Sequence, residues 1–315
     1  MIPYIRKKYP VRVVLDLQDP WANDYYSKNP TITPPGGRFR FWIANQLAKW
    51  DERRVLPFVD ALTTVSSAYA EDLKKRIPKL ADLPVLTVPF GAPERDFATI
   101  LASSRSQSFF EKNDGDLHWV YVGRGGADMR RALVPFFNAL KEHQDRRVTT
   151  PRILLHFIGT DYVSGANAVK TIAPIAQKAG LGDVVFEQTE RIPYSDALCC
   201  LRDADALIVP GSDDPRYTAS KLFPYILARK PMLAILREES PASHDLKRCA
   251  GATLVTFAEK DSENTIRRNI YAKWFENQSY NKVTPCIEAE FTPHTARGMA
   301  DKLESFFTKI ISQTS

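Results

Sequence analysis

Short apolar stretches alternating with amphipathic ones limit most strongly what this chain can fold into. The apolar stretches are Val11 to Leu17, Ala61 to Val65, Val85 to Val88, Leu117 to Val122, Ile153 to Ile158, Val184 to Glu187, Ala206 to Pro210, Met232 to Leu236 and Thr253 to Phe257. Between them, Arg40 to Leu56, Tyr69 to Arg76, Met129 to His143, Asn167 to Ala179, Ser195 to Asp203 and Ser220 to Ala228 read as helices. Apolar strands that alternate with helices pair in parallel, with helices covering both faces of the sheet. The pattern predicts an α/β fold with doubly wound parallel sheets.

A chain of 315 residues is long enough to build two cores of ordinary size. Pattern fails between Gly91 and Asp116, where Pro93, serines 103, 104, 106 and 108 and the run from Asn113 to Gly115 read as a linker. Asn277 to Pro293 reads as a second crossing, followed by a last helix from Thr295 to about Ile311. The expected division is an N-terminal domain 1–92, a linker 93–116, a larger domain 117–290 and a closing helix over 291–315.

No apolar run is long enough to span a bilayer, and Arg6, Lys7 and Lys8 are not followed by the apolar core of a signal peptide. Cys199, Cys200, Cys249 and Cys286 show neither metal-ligand nor disulfide spacing, which fits a reducing cytoplasm; Cys199 and Cys200 read as core residues. A net charge of +6 points to an anionic partner. Zinc-finger spacing and the aromatic signature of RNA-binding sheets are both missing, so nucleic acid is not the partner expected. Nucleotide phosphates and an anionic membrane surface remain. On Arg38 to Trp50, basic residues interleave with Phe39, Phe41, Trp42 and Trp50, which would suit lipid docking. Positions 39, 43 and 47 fit one buried stripe, however, so a core-packed helix with a solvated basic face is the favoured reading.

Gly123, Arg124, Gly125 and Gly126 follow one strand and precede a helix. Glycines there let backbone N–H groups approach an anion, and the helix N-terminus adds partial positive charge. The loop is not a G-x-G-x-x-G fingerprint, so nicotinamide or flavin binding is disfavoured, and a plain strand-to-helix turn is the alternative. Arg130 and Arg131 in the first turn of one helix, and Arg216 and Lys221 beside the start of another, are unfavourable against the helix dipole unless an anion is bound. Thr218 and Ser220 suit either helix capping or phosphate contact. Asp19 lies in a turn at the C-terminal end of a strand, where open α/β sheets bind ligands. Asp203 and Asp205 form a D-x-D pair, but at a helix end, so no metal site is expected there. The histidines lack ligand spacing and there is no G-x-S-x-G elbow.

Val11 to Trp21, Asp51 to Arg54, Val59 to Ser66, Val88 to Gly91, Val120 to Arg124, Ala204 to Gly211 and Ser220 to Pro231, in this order, resemble segments of the retaining GT-B glycosyltransferases of the large family-four type (glycosyl transferases group 1). The resemblance covers nearly the whole chain. It implies two Rossmann-like domains, the N-terminal one incomplete, since the chain enters at what matches a later strand and lacks the glycine-rich acceptor loop. It also implies transfer of a sugar from a nucleotide-diphosphate donor, UDP- or GDP-linked, to a glycan or lipid-linked acceptor in polysaccharide biosynthesis. No metal or other cofactor is implied, and the location is the cytoplasm or its membrane face. On this resemblance Arg124 and Arg130 grip the diphosphate with Lys221, while Gly123, Gly125, Gly126, Arg191, Arg216, Thr218 and Ser220 surround the nucleotide and Asp19 orients acceptor or sugar. Two departures stand out. The family's pair of glutamates falls on Arg216 and Pro224, and its sugar-facing histidine on Gln18. The missing glutamate pair and the missing acceptor loop favour a rival reading, a non-catalytic remnant that binds a nucleotide or a partner chain. A nucleotide-sugar epimerase would need catalytic carboxylates that the sequence does not place. A sheet lacking its first strands would expose an apolar edge, so self-association into a homo-oligomer is expected.

Overall fold

The computed structural model describes residues 1–22, 24, 27, 34, 37–146, 151–163, 165–215 and 222–312. The chain divides into two compact units, one of residues 1–90 with 297–315, the other of residues 91–296.

The first unit contains α1 (Ile2–Lys8), β1 (Val14–Leu17), α2 (Arg38–Val55), β2 (Ala61–Thr64), α3 (Ser67–Arg76) and β3 (Val85–Thr87). Its strands form a parallel sheet in the order β1-β2-β3, with Val14 opposite Ala61 and Leu62 opposite Val85. Every residue of the central strand is buried, as a parallel strand between two neighbours requires. Leu17, Leu56, Val59, Leu62, Leu73, Ile77 and Leu80 make the core. Asp60, one residue before β2, accepts hydrogen bonds from Arg6 and Arg12 at 2.7 Å and from the Val13 N–H at 2.8 Å, and so pins the start of the sheet.

In α2 the structure reverses the expected orientation. The buried residues are Asn45 and Glu52, whereas Phe39, Ile43 and Leu47 are exposed. Glu52 takes two hydrogen bonds from Arg76, at 2.7 and 3.2 Å, and accepts the Ala22 N–H at 3.2 Å. A buried carboxylate must be paired, so the contact with α3 sets the rotation of α2 and turns the apolar stripe outward.

The second unit contains α4 (Glu94–Ala102), β4 (Leu117–Val122), α5 (Arg130–Arg146), β5 (Ile153–Ile158), α6 (Ala173–Lys178), β6 (Val185–Gln188), α7 (Tyr194–Asp203), β7 (Ala206–Pro210), α8 (Leu222–Leu227), β8 (Met232–Arg237), α9 (Pro241–Cys249), β9 (Thr253–Phe257), α10 (Glu263–Ile270) and α11 (Glu288–Phe291). Its six parallel strands lie in the order β6-β5-β4-β7-β8-β9. This is the doubly wound order whose direction of winding reverses between β4 and β7. Cys199 and Cys200 lie in its core, as their apolar setting predicts. The closing helix, α12 (Ala296–Ser312), falls from Arg297 onward in the first unit.

Three segments differ from their sequence reading. The stretch read as a linker, 93–116, carries α4, whose Phe97 and Ile100 are buried in the second unit's core. Arg202 of α7 fastens the end of α4 and the serine-rich turn after it by donating to the carbonyls of Ile100 at 3.0 Å and Arg105 at 2.8 Å. A one-faced helix of two turns beside a serine-rich patch offers too little periodicity to be read. The second expected crossing is likewise tied to this unit, by the Ile287 N–H on the Cys249 carbonyl at 2.8 Å. The helix expected from Asn167 starts only at Ala173, because buried Glu187 of β6 accepts the N–H groups of Thr171, Ile172 and Ala173 and thereby fixes its N-terminus.

Candidate functional site

The reversal of winding leaves a crevice at the C-terminal ends of β4 and β7, the place where open α/β sheets bind ligands. The loop after β4 is Gly123 to Gly126, then a short 3-10 turn over Ala127–Met129 that leads into α5. Gly123 donates its N–H to the Ile158 carbonyl at 2.9 Å and Gly125 to that of Thr160 at 2.7 Å. These two amides, expected to face an anion, are therefore spent on holding the loop to the end of β5. Gly125 and Gly126 also stand close to neighbouring side chains. A Cβ on Gly125 would stand 2.6 Å from Thr171 Oγ1, and one on Gly126 2.3 Å from Asp128 Oδ1, at a φ of +157°.

Arg124 reaches over its own loop. Its guanidinium pairs with Asp128 through two hydrogen bonds of 2.9 and 2.6 Å, and Tyr121 donates its hydroxyl to the Arg124 carbonyl at 2.9 Å. Burial pushes the Asp128 carboxyl up, but hydrogen bonds from Arg124 and Ser212 and the Arg124 charge outweigh it and hold the group below its usual value. Across the crevice, the Asp213 N–H donates to the Asp128 carbonyl at 2.9 Å, while Arg237 donates to the Asp213 carbonyl at 2.9 Å. The loops after β4 and β7 are thus one hydrogen-bonded assembly. Its charges nearly balance, with Arg124, Arg131 and Arg237 against Asp128 and Asp213. Burial raises the Asp213 carboxyl in spite of Arg131 and Arg237 nearby.

Beside this assembly lies a cavity of about 250 Å³ whose walls include Val122, Gly123, Gly159, Arg191, Tyr194 and Tyr225. Tyr225 of α8 ties itself to the end of β4, accepting the Val122 N–H at 2.6 Å and donating to the Val122 carbonyl at 3.1 Å. Arg191 lies over the Tyr162 ring, 4.1 Å from its centroid. The Tyr194 phenol is pushed up to about 12 by burial and by its hydrogen-bonded neighbour Asp96. Pro224, on the position where the resemblance has a glutamate, also lines the wall. The cavity is apolar with a cationic and a phenolic edge, which suits a planar heterocycle with a ribose.

The structure thus brings Gly123, Gly125, Gly126, Arg124 and Arg191 to one end of one sheet. Arg130 is exposed on the first residue of α5, next to them in sequence. Arg131, which the dipole argument also assigned to an anion, has a different employment: it donates to the carbonyls of Ala258 and Asp261 at 2.8 and 2.9 Å and to that of Glu259. Asp19 is exposed after β1 in the first unit. Arg216, Thr218, Ser220 and Lys221 lie outside the described residues. Asp203 and Asp205 diverge, the first onto Arg202 and the second onto the His118 N–H at 2.8 Å. Among the described residues no group of three or more His, Cys, Asp and Glu is arranged for a metal ion. Sequence reasoning missed Asp128 and Tyr225. An acid four residues after Arg124 at a helix start was the available signal for the first; the second had none.

No known family pattern matches the sequence, and no curated protein matches it. Solved structures do match. A UDP-forming α,α-trehalose-phosphate synthase from Burkholderia xenovorans superposes with a TM-score of 0.59 at 13% identity, over 98% of this chain and 72% of that one. A glycosyltransferase from Rickettsia africae gives 0.58 at 12% identity, over 100% and 80%. HepE of Anabaena, solved in complex with UDP and glucose, gives 0.57 at 12% identity, over 94% and 71%. At such identities the likeness concerns the fold. The chain has a GT-B-like α/β fold, with parallel sheets of three and six strands in two Rossmann-like units.

Proposed function

We propose that this chain is a glycosyltransferase whose second unit holds the nucleotide of a nucleotide-diphosphate sugar. The observation that carries the reading is the apolar cavity standing directly beside the Arg124 loop at the reversal of the sheet. Base and ribose would occupy the cavity against Tyr225 and Arg191. The diphosphate would lie along Gly123 to Gly126, drawing Arg124 from Asp128 and meeting Arg130 at the start of α5. Lys221, with Arg216, Thr218 and Ser220, would approach it from the segment before α8. As the bond between the sugar's anomeric carbon and the diphosphate oxygen breaks, negative charge gathers on the diphosphate, and cations already positioned there stabilise it. Asp19 is the first unit's candidate for orienting the acceptor hydroxyl. A fold likeness to a UDP-forming synthase and to a protein solved with UDP and glucose supports a uridine donor.

One observation favours the non-catalytic alternative: Pro224 supplies a wall without a carboxylate where the resemblance has a ribose-facing glutamate. Calorimetry with UDP, GDP and ADP tests nucleotide binding. Arg124→Ala is expected to weaken it roughly 10- to 100-fold, the worth of a charge-assisted hydrogen bond. Equal binding by the variant would remove Arg124 from the site. Binding of UDP without consumption of any UDP-sugar would select the non-catalytic reading.

A further inference from the structure

We propose that Asp128 is a built-in competitor for the diphosphate: its carboxylate latches Arg124, and a ligand must displace it before the loop after β4 can close on phosphate. The inference rests on the nucleotide site proposed above and concerns its regulation. Arg124 Nη1 and Nη2 donate to Asp128 Oδ1 and Oδ2 at 2.9 and 2.6 Å, one guanidinium nitrogen to each carboxylate oxygen. A two-point pair of this kind gives the guanidinium what a phosphate would give it, two anionic oxygens at the spacing of its fork. Nη1 also donates to the Gly125 carbonyl at 3.3 Å, so the arginine lies folded back along the glycine loop. A Cβ on Gly126 would fall 2.3 Å from Asp128 Oδ1 and 2.9 Å from Arg124 Nη1. The pair thus occupies the space that a side chain at 126 would take.

Of the two partners, the carboxylate is the one held in place. Ser212 hydrogen-bonds it from the loop after β7, and the Asp213 N–H donates to the Asp128 carbonyl at 2.9 Å. The arginine is the longer arm and turns more easily. Both side chains are about one-third exposed, so water can replace either partner when the pair opens. A diphosphate lying along Gly123 to Gly126 takes Arg124 from Asp128 and then stands beside the carboxylate it has uncovered. The lost pair and the like charge both oppose binding. For a pair this exposed, the first effect alone is worth roughly fivefold in affinity. The latch therefore weakens the hold on the nucleoside diphosphate left after transfer and speeds its departure.

Calorimetry with UDP and with uridine tests the latch on the wild-type chain, Asp128→Asn, Arg124→Ala and the double variant. Asparagine keeps the shape of the side chain and removes its charge. Asp128→Asn is expected to bind UDP roughly fivefold more tightly, and to bind uridine, which has no phosphate, as the wild type does. With Arg124→Ala already in place, the same substitution should change UDP affinity roughly twofold or less, because the arm it would free is gone. Tighter binding together with a lower melting temperature is a combination that a merely supporting Asp128 does not produce. Asp128→Ser removes the same charge through a smaller side chain and should show the same gain, whereas Asp128→Glu should show none. Weaker UDP binding by both neutral variants would overturn the proposal, by making the carboxylate a support for Arg124. An equal gain with and without Arg124 would also overturn it, by reducing the effect to plain repulsion. UDP binding that Arg124→Ala impairs and Asp128→Asn leaves unimproved would remove the latch and keep the nucleotide site. No UDP binding by the wild-type chain would remove both.

Discussion

Arg124 and Asp128 hold each other in the loop that the proposed diphosphate would enter, and that pairing has a measurable pH dependence. The carboxyl is held below its ordinary value of 3.8, so its contribution to stability is present above that pH and is lost as pH falls through the lowered value. Both side chains are about one-third exposed, which limits the pair to about 1 kcal/mol. Asp128→Asn should therefore lower the melting temperature by a constant amount from neutral pH to about 5, with the difference closing only in stronger acid. His156 gives a second, larger window. Burial first, and the neighbouring His118 second, hold it down at about 4 against an ordinary 6.5, with Asp114 opposing. It is 3.0 Å from His118, and Phe110 and Phe186 pack against its ring. Its neutral form is the folded one, so stability is full above pH 6.5 and declines as pH falls toward 4. Urea midpoints at both ends of that window should fall steeply in the wild type and much less in His156→Gln. Parallel slopes would mean that another group drives the loss.

Among the elements, the end of β7 is the tightest. Gly211 donates its N–H to the Ile235 carbonyl at 2.8 Å, and a Cβ there would stand 2.8 Å from that oxygen and 3.0 Å from Leu236 Cα. Both atoms belong to the backbone of β8, so neither yields by a rotamer change. Gly211→Ala should cost roughly 1–3 kcal/mol, which for a unit of this size is roughly 2–4 °C of melting temperature per kcal/mol. It should also weaken nucleotide binding, because the clash moves Ser212 and Asp213 away from Asp128. Differential scanning calorimetry with and without UDP measures both effects. A normal melting temperature would show that the strand end gives way without strain.

For the whole molecule, the two units differ in how much they bury. The second is built on one continuous core running through β4, β5, β7 and β8, with Trp119, Trp274 and Phe275 packed together at ring-centroid distances of 5.6 and 5.8 Å. The first rests on a small cluster around Leu62 and on polar ties from Asp60 and Glu52. Local opening takes less free energy where fewer apolar contacts are broken. Hydrogen exchange followed by mass spectrometry should show β1, β2 and β3 exchanging well before β4, β7 and β8. Adding UDP should slow exchange in the second unit alone. Uniform protection across both sheets would mean that the units unfold as one.

The order of strands along the chain and their parallel pairing were legible in the sequence, because a strand buried on both faces must be apolar along its length. Leu117 to Val122, Ile153 to Ile158, Ala206 to Pro210 and Thr253 to Phe257 are strands to the residue. The glycine loop with Arg124 was legible for a similar reason, since it is local composition at a strand end. Other features depend on partners distant in sequence. The rotation of α2 is set by Arg76, the start of α6 by Glu187, the employment of Arg131 by three carbonyls after β9, and the pairing of Asp213 with the Asp128 backbone by the approach of two loops. Local pattern specifies which residues favour a strand or a helix. Which face turns inward is decided by the cost of leaving a buried charge or amide unpaired, and that cost exists only once distant segments meet.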